Sequence, residues 1–124
     1  MINSEQRQLL HQFLLLDLAV RSLQQDYKTI EHLKMKTVYL PLLDSLLKDL
    51  RKDSFSLKRQ LASQQIRVVG WHRINEYFSD IQVATAGNDE WLRYANQALK
   101  TEVEQLLFSH IKKATHMSGL PLRK

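Results

Sequence analysis

A chain of 124 residues, 44% hydrophobic and 25% charged, is long enough to bury one continuous core and too apolar for wholesale disorder. The absence of cysteine excludes disulfides, thiolate metal sites and cysteine nucleophiles together, and suits a reducing compartment. The net charge of +5 permits an acidic partner, but it divides as +3 over residues 1–64 (ten Lys/Arg against seven Asp/Glu) and +2 over 65–124 (eight against six), so neither half is a basic arm.

In chain order, Asn3 is a good N-cap and Gln6, three residues on, completes a capping box. Leu9, Phe13, Leu16, Val20, Leu23, Tyr27 and Ile30 then step by four and three, predicting a first helix from Ser4 to about Leu33. Leu10, Leu14, Leu15, Leu18 and Ala19 add apolar surface outside that stripe. One neighbouring helix cannot cover so wide a face, so this helix either lies deep in the fold or turns Leu10, Leu14 and Leu18 to a second copy. The longest apolar run, Phe13 to Leu16, stops at Asp17, far short of the roughly 20 residues a membrane span needs. Glu5, Asp17 and Arg21 also break any secretory-leader pattern, and the reading is a soluble, cytoplasmic protein.

The second helix is the organising element. Leu40, Leu43, Leu47, Leu50, Leu57 and Leu61, with Ser54 in the one vacant place, form a seam that must be buried. Pro41 restricts the residue before it, so the predicted start is near Pro41, with Thr37 as a competing start, and the end is about Ser63.

From Gln65 to Gly87 β-branched and aromatic residues dominate. They predict two short strands, Ile66 to Ile74 and Tyr77 to Ala84, with Gly70 marking a bulge or a close approach of backbone. Trp71, Ile74, Phe78 and Ile81 also fit a helical face, which is the rival reading. Gly87 and Asn88 stop and restart the pattern. With Asn88 as N-cap, Leu92, Ala95, Leu99, Val103 and Leu106 give the seam of a third helix reaching about Ala114.

Motifs for chemistry are not found. His11, His32, His72, His110 and His116 include no pair at helical spacing and no HExxH, and His110 with Glu104 is the one pairing the fold might bring together. No GxSxG elbow occurs, and Gly70, Gly87 and Gly119 are too dispersed to cradle a phosphate. Two basic groups stand out: Arg67, Trp71, His72 and Arg73 on the strands, and Lys28, Lys34 and Lys36 with His32 around the first connection together with Lys48, Arg51, Lys52, Lys58 and Arg59 on the second helix. Trp91 near the start of the third helix is expected to pack on the hairpin and set the angle of that helix or, if exposed, to anchor a partner.

The sequence thus predicts a mainly α protein, an antiparallel bundle of three long helices with a small β-hairpin (about 66–84) inserted between helices 2 and 3. It forms one domain over 1–117, followed by a flexible tail over 118–124. The expected function is non-enzymatic interaction, scaffolding or regulation through leucine-rich helix faces, as a homodimer self-associating at Leu10, Leu14 and Leu18 or with another protein. The alternative is a small basic nucleic-acid-binding regulator that uses Lys48, Arg51, Lys52, Lys58 and Arg59 or the Arg67, Trp71 and Arg73 hairpin. No catalytic, cofactor-binding or metal-ligating residue is assigned, and no cofactor, membrane or small-molecule substrate is expected.

Overall fold

The structure, a computed structural model, describes residues 2–117, with side chains as far as residue 113; the predicted tail at 118–124 lies outside the described residues. The elements run α1 (Ser4–Ile30), α2 (Lys36–Ser63), β1 (Arg67–Arg73), β2 (Phe78–Ala84), β3 (Asp89–Ala95) and α3 (Asn96–Met117).

The capping box at the start of α1 forms as expected. The Gln6 N–H donates to Asn3 Oδ1 at 2.8 Å and the Asn3 N–H donates to Gln6 Oε1 at 3.0 Å. Two of the four orphan donors of the helix are thereby satisfied. Helix α2 starts at Lys36 rather than near Pro41, which lies inside it. The proline forfeits only the bond to the Thr37 carbonyl, a small cost beside the burial of the seam that follows. Leu47, Leu50 and Leu61 are buried, and Leu40, Leu43, Ser54 and Leu57 half-buried, so the predicted seam is the inner face of the helix.

The end of α2 is a Schellman turn built on glutamine. The Ile66 N–H donates to the Leu61 carbonyl at 2.9 Å and the Gln65 N–H to the Ala62 carbonyl at 3.0 Å, with Gln65 in the left-handed region at φ 61°. Leu61 and Ile66, the two residues whose apolar contact accompanies this turn, both belong to the core. The turn therefore aims β1 back across the molecule.

The predicted hairpin is in fact a three-stranded antiparallel sheet, ordered β1-β2-β3, and this overturns the description of three long helices with a hairpin. The first two strands lie where the sequence places them. The third, Asp89–Ala95, takes residues expected in the third helix, which starts only at Asn96. Asn88 is no helix cap. It closes the β2–β3 turn, its carbonyl accepting from the Thr85 N–H at 2.9 Å and the Thr85 hydroxyl at 2.6 Å, while Gly87 takes φ 108°. The physical reason is the open edge of β2: Ile81 and Val83, both fully buried, need a paired strand on each side, and Leu92 comes to lie opposite Ile81.

Two clusters make up the core, and α1 serves both. Its first half sends Leu10 and Leu14 against the inner face of the sheet, where they meet Ile81, Val83 and Leu92, closed off by Leu61 and Ile66. Its second half sends Leu16, Ala19 and Leu23 against Leu47 and Leu50 of α2 and Val103 of α3. The wide apolar face of α1 is thus covered by a helix on one side and by a sheet and a second helix on others. Each fully buried leucine adds roughly 1.5–3 kcal/mol relative to exposure. Among the described residues no helix is long and apolar enough to cross a membrane.

Candidate functional site

Two of the three residues expected to associate with a second copy are not at the surface. Leu10 and Leu14 are 0% exposed in the sheet-facing core, so neither is available to a partner, and Leu18 is half-buried between α1 and α3. The sheet, which the helical reading of the sequence underestimated, occupies the space assigned to the second copy.

The strand cations are likewise separated. Val69 is the extra residue of a bulge between Val68 and Gly70, so Arg67 pairs with Ala84 while Trp71 pairs with Ile81 and Arg73 with Ser79. A regular strand would put residues 67, 71 and 73 on one face. The bulge instead moves Arg67 to the face opposite Trp71 and Arg73. Trp71 is half-buried against the core, and Arg73 is occupied in donating from Nε to the Asn75 carbonyl at 3.1 Å. The predicted Arg67, Trp71 and Arg73 group is therefore not one surface.

On α2 the basic residues divide along helical geometry. Lys48, Lys52 and Arg59 are exposed and, with Phe55, step by four, three and four along one outer line. The Arg59 guanidinium lies 6.0 Å from the Phe55 ring centroid, and Lys52, Phe55 and Arg59 border one shallow depression. Asp49 and Asp53, interspersed in sequence, turn to another flank, where Asp53 Oδ2 lies 3.3 Å from His110 Nε2 of α3. Arg51 and Lys58 fall on the opposite flank.

Titratable groups from three elements meet at His11. Its Nε2 is 3.1 Å from Glu102 Oε1 on α3, its Nδ1 is 3.4 Å from the Tyr94 hydroxyl on β3, and its ring stacks on Tyr94 with centroids 5.7 Å apart. Burial raises the Tyr94 pKa above its ordinary value, with the Glu102 charge adding and Arg7 opposing, so the phenol keeps its proton and donates. The Tyr94 hydroxyl and the Glu102 carboxylate thus engage the two ring nitrogens of His11. The cluster braces α1 against β3 and α3. Nothing in the sequence pointed to it, because its members are 83 and 91 residues apart. His110, by contrast, pairs with Asp53 and the Leu106 carbonyl, not with Glu104. Among the described residues no group of three or more His, Asp or Glu could hold a metal ion.

The outer face of the sheet is polar and self-paired. Trp91, expected to be packed, is 54% exposed there, its ring tilted at 51° to that of His72 with centroids 5.1 Å apart. Beside it Arg93 donates from Nε and Nη2 to the two oxygens of Asp80 at 2.9 and 3.2 Å. These bonds hold the Asp80 carboxyl below its ordinary range, against a smaller opposing effect of burial. A depressed folded value means that the stabilisation is present at neutral pH, above the unfolded value, and disappears as pH falls through the folded value. Asp80→Asn is therefore expected to lower the urea midpoint slightly at neutral pH and to match the wild type in strong acid. A difference that stays constant across that range would refute the assignment.

The most concentrated unpaired apolar surface is the corner joining α1 to α2. Leu33, Met35, Val38, Tyr39 and Leu42 are between 43% and 67% exposed, and none of them belongs to either core cluster. A signal for this was legible, since all five lie off the Leu40–Leu61 seam.

The architecture is that of a helix-rich α+β protein. Within known proteins, the chain belongs to the YhjD protein family, whose model matches residues 1–115. No curated protein and no solved structure matches it.

Proposed function

We propose that the protein is a non-enzymatic cytoplasmic interaction module that self-associates as a homodimer through the α1–α2 corner. The observation that carries this reading is the run of exposed large apolar residues at Leu33, Met35, Val38, Tyr39 and Leu42, five within ten positions. Soluble chains seldom leave so dense an apolar patch in water, and covering it with the same patch of a second copy removes apolar area at about 25 cal/mol per Å², offset by the cost of association. Val38 and Leu42, one helical turn apart, share a face. Light scattering of the wild type is expected to give twice the chain mass with little dependence on salt. The double substitution Val38→Glu and Leu42→Glu is expected to give a monomer whose stability changes by no more than about 0.5 kcal/mol per site, as exposed positions allow. A wild type that stays monomeric at all attainable concentrations refutes the reading.

A second reading is supported by the alignment of Lys48, Lys52, Phe55 and Arg59 on one outer line of α2, with the neighbouring carboxylates turned away. Such a ridge suits a phosphate backbone, with Phe55 available to stack. Heparin retention that falls steeply with salt and is abolished by Lys52→Glu with Arg59→Glu supports it; retention unchanged by that pair removes it.

A further inference from the structure

Strand β1 lies at one edge of the sheet, with β2 on one side only. Its other side opens on a cleft of about 710 Å³ bounded by α1 and the end of α2 and lined by every residue from Gln65 to Trp71. The unpaired backbone of an edge strand is a template for another strand. Here that template runs along an open cleft for five of its seven residues, Arg67 to Trp71. We propose that this cleft binds an extended acidic segment of a partner protein, which adds to β1 as a fourth antiparallel strand.

The occupant follows from charge. Arg21, Lys58 and Arg67 line the cleft against a single carboxylate, Asp17, which Arg21 already engages at 3.0 Å. Lys58 and Arg67 border the cleft beyond that pair, Arg67 from the outer face of the sheet, and no carboxylate other than Asp17 lines it. Phe13 and Trp71 supply apolar surface, so a strand that alternates acidic with apolar side chains matches both walls. A second copy of β1 does not match, because its RVVGWHR sequence holds two arginines and no carboxylate to offer Lys58 or Arg67. This surface is separate from the α1–α2 corner, so either can fail without the other.

The probe is a seven-residue peptide of alternating glutamate and valine, matching the length of β1. Controls are the same peptide with lysine for glutamate, and the glutamate peptide N-methylated at alternate positions, which keeps the charge and loses ladder donors. Fluorescence anisotropy is expected to show saturable binding of the first peptide only, with amide chemical-shift changes concentrated in Arg67–Arg73. Lys58→Glu with Arg67→Glu, two exposed positions, is expected to weaken binding by at least about tenfold. Absence of binding, equal binding of either control, or shift changes confined to other elements of the wild type overturns the proposal. So does protection of β1 amides that grows with protein concentration alone, since that marks a second copy on the edge.

Discussion

Leu14→Lys is expected to leave no folded protein. Leu14 is 0% exposed and packs among the apolar side chains of Leu10, Ile81, Val83 and Leu92. The substitution removes the roughly 1.5–3 kcal/mol of leucine burial and adds a desolvation cost of several kcal/mol for an unpaired charge or for its neutralisation. The total rivals the entire stability of a small domain, about 5–15 kcal/mol. Circular dichroism should show loss of both helix and sheet signals, because the cluster includes α1, α2 and two strands. Leu18→Lys is the informative companion. Leu18 is half-buried beside a cleft, so a lysine can lay its stem on the surface and carry its charge to water. A folded Leu14→Lys variant that has merely become monomeric would return Leu14 to a subunit contact and overturn the core described above.

Leu50→Ala is expected to cost about 3–5 kcal/mol, the upper part of the range for buried leucine. The side chain is 0% exposed and is surrounded by residues of all three helices, so its removal leaves a cavity that rigid neighbours cannot close. Leu47→Ala, with 4% exposure in the same cluster, is expected to fall within the same range or a little below. Leu57, half-buried on the same seam, has less to lose. Urea unfolding with an unchanged m-value is the measurement, since a changed slope would report on the denatured ensemble instead. Losses under about 0.5 kcal/mol at both Leu47 and Leu50 would place the seam on the wrong face.

These two substitutions probe separate cores, and the difference between them reflects what could be read along the chain. The Leu50 cluster descends from a seam legible in sequence, because its members recur every three or four residues on one helix. The Leu14 cluster depends on a sheet whose third strand was read as helix. Asp89–Ala95 satisfies both descriptions: Glu90, Leu92 and Tyr94 alternate as a half-buried strand requires, while Leu92, Ala95 and Leu99 step by three and four into α3. Periodicity over seven residues cannot choose between them. The choice fell to β2, whose second edge would otherwise be buried without hydrogen-bond partners. Once that strand forms, Leu10 and Leu14 gain a cover within their own chain, and the surplus apolar surface moves to the α1–α2 corner.

The candidate surfaces follow the same division. The exposed residues Leu33 to Leu42 were visible as apolar positions off the seam, and the Lys48, Lys52 and Arg59 line follows from helical spacing alone. The separation of Arg67 from Trp71 and Arg73 was not visible. It turns on which residue the bulge leaves unpaired, and a shift of one residue reverses every side chain beyond it.

What the sequence determined by itself is therefore the local part: the Asn3–Gln6 cap, the buried line of α2, and the first two strands. Those features rest on hydrogen bonds and periodicities within a few residues, which chain neighbours enforce wherever the segment lies. The third strand, the cover over Leu10 and Leu14, the His11 brace and the cleft along β1 were decided only by the tertiary structure. Each depends on groups far apart along the chain meeting in space, and a short segment compatible with two conformations takes the one whose distant partner would otherwise be left unpaired.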